Sequence, residues 1–238
     1  MRIAFIANDK GIEFNKINGC SLNTFKLFNL LKKGFRAKLF LPDYKHNSFF
    51  RSFSIVKKCK NFDLIYERYS LYSVAGYIAS KLNNIPLVVH VHSPLVYEAE
   101  LFLKSRFNWL QKKIINFTSR KTFQQAKAII VVSKENKYYL VKKWSVNSKK
   151  IFVVPNAVDV KMFSKQYNKK RIRSKYALGT NQIVIFVGSF FPWSGISNLI
   201  KAFSLLKKKN KKVKLLLVGD GKLKKNLKQE ILKLGIKE

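Results

Sequence analysis

Two histidines and two glycine-containing loops are the residues of this chain best suited to chemistry. His90 and His92 close the apolar run Pro86–Val91. A strand has a side-chain period of two, so both imidazoles point to the same side, ahead of a Ser93-Pro94-Leu95 loop. A neutral imidazole there can hydrogen-bond a hydroxyl. The structural alternative is a histidine satisfied at a strand end. Glu98 is the carboxylate nearest His92 in the chain and is better placed to favour the amino end of the next helix. Asn18-Gly19-Cys20 precedes one helix, and the segment Gly188–Gly195 precedes another that opens at Gly195 and Ile196. Free amides and the dipole at such helix starts suit phosphate. No Ser/His/Asp set and no acid/base carboxylate pair can be assembled from nearby sequence. Cys20 and Cys59 have no metal-ligand spacing and suggest no disulfide framework, which favours a reducing compartment. Without G-x-G-x-x-G, a dinucleotide cofactor is unsupported.

The elements that must position these groups alternate between strand and helix. Arg2–Ala7 reads as a strand. A helix is predicted over Ser21–Lys33, with Leu22, Phe25, Phe28 and Leu31 at helical spacing, and Gly34 placed to end it. Arg36–Leu41, Asp63–Tyr66 and Pro86–Val91 read as further strands. Leu71, Val74, Ala75, Ile78, Ala79 and Leu82 define an amphipathic helix. Glu98–Ala126 reads as mainly helical, with Phe102, Trp109, Leu110, Ile114 and Phe117 as its apolar residues. Ile129–Val132 is a strand, and Ser133 caps a helix whose apolar face is Tyr138, Leu140 and Val141. Ile151–Val154 is a strand stopped by Pro155 and Asn156. Lys165–Lys175 reads as a basic linker. Strands at Gln182–Val187 and Val213–Val218 follow, each leading into a helix. The fold class is α/β, a doubly wound sheet, with glycine loops at the carboxyl edge where ligands bind.

The chain has 238 residues and a formal charge of +36. A nucleic-acid binder is one reading of that charge. Against it, the cations are 40 lysines and 8 arginines, and arginine is the better residue for bidentate phosphate and base recognition. The lysines also spread over every exposed helix face, as codon bias in an AT-rich genome would give. Attraction to anionic lipid is the third reading. His46–Lys60, with Phe49, Phe50 and Phe53, is either a loop that touches an apolar acceptor or a set of rings packed on the domain. The apolar run at the amino end is too short for a signal-peptide core, and no run approaches membrane-spanning length. The expectation is a cytoplasmic protein, with contact at the inner face of the membrane as an extension of it.

The crossing segment resembles that of family 4 glycosyltransferases, through Ser133, Pro155, Asn156, Val158, Asp159 and Phe163. The family usually has Gly where Ala157 stands. The run Asp63–Glu98 resembles the middle of the family's first domain. Gly188, Gly195 and the glycines of Gly219-Asp220-Gly221 resemble the opening of its nucleotide-sugar domain. The resemblance implies a GT-B fold of two Rossmann-like domains, here 1–160 on the acceptor side and 165–238 on the donor side, with a hinge near Asn156 and Asp159. It implies transfer of a sugar from a UDP- or GDP-sugar to a cell-envelope polysaccharide or glycolipid, with retention and without metal or cofactor. His92 would lie near the donor sugar and act as the catalytic-site residue. Gly188, Ser189, Ser194, Gly195 and Ile196 would bind the donor, and Asn18 and Gly19 would form the acceptor or phosphate loop. The family often has Arg and Lys where this chain has Ser189 and Ser194, and no Lys or Arg falls between Lys175 and Lys201.

The family's donor domain continues into a pair of glutamates and a closing helix that have no counterpart here. The second domain is therefore expected to be incomplete and the chain to be inactive by itself. The alternatives are a non-catalytic module that binds an acceptor or partner, and a basic nucleic-acid-binding α/β protein.

Overall fold

A computed structural model describes residues 1–9, 12, 18–41, 54–71, 74–93, 95–96 and 109–236. Phe49, Phe50, Phe53, Pro94, Glu98 and Phe102 lie outside the described residues. The chain divides into two compact units, Met1–Ala157 and Val158–Glu238.

The first unit is built on six parallel strands: β1 (Arg2–Ala7), β2 (Arg36–Phe40), β3 (Leu64–Arg68), β4 (Leu87–Val91), β5 (Ala128–Val131) and β6 (Ile151–Val153). Their order is β2-β1-β3-β4-β5-β6. β1 pairs with β2 on one side and β3 on the other, so the sheet changes winding direction at β1/β3, the crevice where such sheets bind ligands. Its helices among the described residues include α1 (Gly19–Gly34), α2 (Ala75–Asn83), α3 (Trp109–Gln125) and α4 (Lys134–Trp144). β-Branched and aliphatic residues fill both faces, as a covered parallel sheet requires. On one face Ile3, Phe5 and Tyr66 pack against Leu27, Phe28 and Leu31 of α1. On the other, Ile65, Leu87, Val89, Ile129 and Val131 meet Ala79, Phe123, Leu140 and Trp144 from α2, α3 and α4.

Each helix has a local reason to start or stop. The side chain of Asn18 accepts from Ser21 N at the start of α1, and Ser133 Oγ accepts from Asn136 N at the start of α4, as its sequence predicts. α2 ends on Asn84 in the left-handed region, φ +52°, a conformation asparagine tolerates. Lys150 Nζ donates to the carbonyls of Phe123, Gln124 and Ala126 at 2.7, 2.9 and 3.0 Å, closing the carboxyl end of α3.

Several apolar residues read as core are exposed. Leu82 stands outside the α2 core contact, and Tyr138 outside that of α4. In α4 the buried residues are Asn136, Leu140 and Trp144. α3 buries Ile115, Ser119, Thr122 and Phe123, while Trp109, Leu110, Ile114 and Phe117 face out. The small hydroxyl residues let α3 approach closely: Ser119 Oγ donates to Ile115 O at 2.6 Å and lies 2.6 Å from the Tyr69 hydroxyl.

The second unit pairs β7 (Gln182–Val187) with β8 (Val213–Val218) in parallel register, Gln182 opposite Val213 through Val187 opposite Val218. Its helices are α5 (Val160–Phe163), α6 (Lys169–Lys175), α7 (Ile196–Lys209) and α8 (Lys224–Lys233). Part of the basic linker read at Lys165–Lys175 is helical, as α6: the Asn168 side chain accepts from Arg171 N and starts a helix there. The core is Phe190, Ile196, Ile200 and Leu227, backed by Phe186, Leu215 and Leu217.

Candidate functional site

The carboxyl ends of β1, β3 and β4 bring several polar groups together on the α1 face. Register places Ala7 beside Arg68 and Arg68 beside His90. Tyr66, two residues before Arg68, is on the same face. Its hydroxyl lies 2.6 Å from Nδ1 of His90, and burial raises its pKa far above the usual tyrosine range, so it stays protonated. The His90 and His92 rings stack with centroids 3.9 Å apart. Both imidazoles therefore point to one side, as the strand period requires.

Burial, with the positive charge of Arg68, lowers the His90 pKa from 6.5 to about 4. The same causes, with His90 as a third, lower that of His92 to about 2. Both rings are neutral near pH 7 and can serve only as hydrogen-bonding groups or proton acceptors there. The stability consequence has a definite sign. Between pH 4 and 6.5 the unfolded chain binds a proton that folded His90 refuses, so stability is complete above 6.5 and falls as pH drops through that window. A shift of this size corresponds to about 3 kcal/mol for His90. Urea unfolding at pH 7.5 and pH 5 should show a lower midpoint at pH 5; an equal or higher midpoint at pH 5 would refute the assignment.

Arg68 is 7 % exposed, Asn8 5 % and His90 8 %. Arg68 Nε and Nη1, both polar side-chain atoms of Asn8, and His90 Nε2 are buried with no hydrogen-bond partner among the described residues. An unmade buried hydrogen bond costs roughly 1–3 kcal/mol, so this concentration at the carboxyl edge of the sheet makes a candidate site. Ser70 Oγ donates to Asn8 O and fixes the end of β1. Arg68 and Asn8 are absent from the residues singled out by sequence. The signal that could have found Arg68 is the pair Glu67-Arg68 inside an otherwise apolar strand. Glu67 serves the opposite face, where its Oε1 accepts from Gly76 N at 3.3 Å.

The other sequence-predicted residues occupy definite positions. Asn18 spends its side chain on capping α1. Gly19 is the first residue of α1, and a Cβ there would meet nothing within 4 Å. Asn156 Oδ1 accepts from Asn23 Nδ2 at 3.2 Å. Asp159 Oδ1 accepts from Met162 N and caps α5.

In the second unit, Gly188–Ile196 joins β7 to α7. Gly188 N donates to Val218 O and Phe190 N to Asp220 O, tying the loop to Gly219-Asp220-Gly221. Ser189 is exposed. Ser194 Oγ donates to Phe191 O at 2.7 Å, so its hydroxyl is used within the loop. Phe191 and Trp193 stack at 4.8 Å. Gly195 stands at φ +68° and leaves α7 without a side-chain cap. Ile196 is 1 % exposed, so its side chain belongs to the core and only its backbone is offered to a ligand. A groove of about 890 Å³ elsewhere in this unit is lined by Lys170, Arg173 and Asn181. Its guanidinium is committed to the carbonyls of Gly179 and Asn181.

The family model described as Glycosyltransferase Family 4 matches residues 25–162, more than half of the chain. The chain belongs to glycosyltransferase family 4. Residues 168–238 match the model described as Glycosyl transferases group 1. An uncharacterized glycosyltransferase of Methanocaldococcus jannaschii is 27% identical over 195 residues, which cover 79% of this chain and 48% of that protein. The Escherichia coli UDP-Gal:alpha-D-GlcNAc-diphosphoundecaprenol alpha-1,3-galactosyltransferase is 28% identical over 182 residues, 74% of this chain and 45% of that one. The family 4 chain thus spans about half the length of these curated relatives. Among solved structures, Anabaena HepE in complex with UDP-glucose matches with TM-score 0.72 at 20% identity, covering 100% of this chain and 67% of that one. A glycosyltransferase from Rickettsia africae matches with TM-score 0.67 at 17% identity, covering 99% and 65%. The α/β fold expected from the resemblance, GT-B, is the fold of these neighbours.

Proposed function

We propose that the chain takes part in transfer of a sugar from a nucleotide-sugar, UDP-linked in the first instance, to a lipid-diphosphate-linked acceptor of the cell envelope, with retention of anomeric configuration. The observation that carries this reading is the glycine loop Gly188–Ile196, which ends on the uncapped amino end of α7. Free amides and the helix dipole at that end suit a diphosphate. Ser189 and Ser194 provide no cation, so backbone amides at Gly195 and Ile196 do the holding in this second unit. In the first unit, neutral His92 is suited to hydrogen-bond a sugar hydroxyl. The printed substrates of the Escherichia coli relative, UDP-Gal and a GlcNAc-diphosphoundecaprenol, support the classes of donor and acceptor.

Incubating the protein with labelled UDP-sugars and a short-chain polyprenyl-diphosphate-linked sugar tests this. The expected result is labelled lipid with retained configuration, and a rate at least about 10-fold lower for His92→Ala, the loss of one hydrogen bond made in the transition state. UDP-sugar binding without transfer would instead assign a non-catalytic module, and an inverted product would refute retention.

Peripheral membrane contact belongs to the same reading. No helix of the described residues is long and apolar enough to cross a membrane. On α3, Trp109, Leu110 and Phe117 are exposed by 68%, 56% and 64%, with Lys113 Nζ 3.9 Å from the Trp109 ring centroid and Lys121 Nζ 5.6 Å from that of Phe117. Aromatic rings interleaved with lysines suit the interface of an anionic bilayer. Trp109→Ser with Phe117→Ser should lower sedimentation with phosphatidylglycerol vesicles several-fold; unchanged sedimentation would remove α3 from the contact.

A further inference from the structure

We propose that Cys20 is a site of reversible covalent modification: its thiol exchanges with a small disulfide that carries carboxylates, and Arg68 holds a carboxylate of the group that becomes attached. The chemistry is independent of sugar transfer.

Cys20 is the second residue of α1, a helix of 16 residues, and it is exposed. The first turn of α1 contains no acidic residue. The Arg68 side chain arrives from the carboxyl end of β3 and makes a side-chain hydrogen-bond contact with the Cys20 thiol. A thiol open to solvent, at the amino end of a helix and beside a guanidinium, has the surroundings of reactive cysteines. Arg68 is 7 % exposed, yet its Nε and Nη1 have no partner among the described residues. Carboxylate oxygens satisfy such spare N–H donors with charge-assisted bonds. A thiol alone does not select a reagent; a buried cation with unused donors beside it does. Cys59 is the internal contrast. It is 0 % exposed and belongs to the core on the sheet face opposite α1. Burial, with the charge of Glu67, raises its pKa to about 11. It is shielded from a reagent in solution, and the sheet separates it from Cys20. In the exchange, the Cys20 sulfur attacks one sulfur of the reagent. A new S–S bond forms, the reagent's S–S bond breaks, and the departing half leaves as a thiol with the proton that Cys20 gave up. The Cys20 sulfur is oxidised, the departing sulfur is reduced, and excess thiol reverses the step.

Treating the full chain with glutathione disulfide in moderate salt, followed by peptide mapping by mass spectrometry, tests this. A single glutathionyl group per folded chain is expected, on Cys20 and released by dithiothreitol, and Cys20→Ser should take up none. Neutral hydroxyethyl disulfide is the reference reagent, so the ratio of the two rates reports the preference for carboxylates. Arg68→Gln should lower that ratio at least about 10-fold, as loss of a charge-assisted hydrogen bond does. Arg68→Lys should keep part of the preference, and Lys208→Gln, an exposed control in the second unit, should keep all of it. If Arg68→Gln fails to fold, the unaltered chain decides: the preference at Cys20 should disappear in urea, where Cys59 becomes reactive too. A preference that survives in Arg68→Gln or in urea, an equal loss in Lys208→Gln, or modification of Cys59 ahead of Cys20 in the folded chain would overturn the proposal.

Discussion

Gly219→Ala should unfold the second unit or leave it without a donor loop. A Cβ on Gly219 would lie 1.8 Å from the Gly188 carbonyl oxygen and 2.9 Å from Cε1 of Phe190. The nearest atom is backbone, which cannot rotate aside. Relief requires separating the loops after β7 and β8, and with them the bonds Gly188 N to Val218 O and Phe190 N to Asp220 O. Phe190 is one of the few fully enclosed side chains of this unit's core. Overpacking usually costs about 1–3 kcal/mol, and a backbone clash belongs at or above the top of that range. Gly195→Ala is the informative contrast: it meets open space and suffers only from its φ of +68°, a cost of roughly 1–2 kcal/mol. Thermal unfolding followed by circular dichroism, with limited proteolysis of the second unit, should rank Gly219→Ala well below Gly195→Ala. The opposite ranking would mean that the two loops do not pack as described.

The second large effect belongs to Gly76→Ala in the first unit. Alanine is ordinarily the better helix residue by about 1 kcal/mol, so an exposed helix would gain from this change. Here the added methyl would lie 2.4 Å from Oε2 and 2.9 Å from Cδ of Glu67, and 3.0 Å from Leu87 Cδ1. A carboxylate at the end of a side chain can normally move away, but Glu67 is 1 % exposed. Moving it would also break the bond from Gly76 N and leave a buried charge poorly solvated, which costs more than the helix gain. A net loss of about 2–3 kcal/mol is expected from the overpacking range, read as a lower urea midpoint with unchanged slope. A variant as stable as the parent would show that Glu67 has room to turn. Gly76 thus explains itself: glycine lets the amino end of α2 sit directly on a buried carboxylate.

The elements were legible because their periodicities are strong. The apolar runs at Arg2–Ala7 and Gln182–Val187, and the cap at Ser133, carry their own local signals. Helix faces were less so. α3 has apolar residues on more than one side, and the side that docks is chosen by Ser119 and Thr122, whose small size permits close approach. Composition alone favours Trp109 and Phe117 instead. α6 looked like linker because its residues are mainly cations, yet the Asn168 cap is enough to start it. The His90–His92 pair was legible from the period of a strand, whereas the polar cluster around Arg68 was not. Its members Tyr66, Arg68 and His90 come from β3 and β4, and only the parallel register that sets Arg68 opposite His90 brings them side by side. The charged pair Glu67-Arg68 splits its two side chains across opposite faces, one to hold α2 and one to face the ligand edge.

In the reading we propose, Gly188–Ile196 binds the diphosphate of a nucleotide-sugar through backbone amides. Titrating UDP into isotope-labelled protein and following the amide signals by nuclear magnetic resonance tests it most directly. Saturable shifts centred on Ser189, Gly195, Ile196 and Ser197, and surviving moderate salt, are predicted. Shifts spread over the lysine-rich helices, vanishing with salt and sparing this loop, would contradict it.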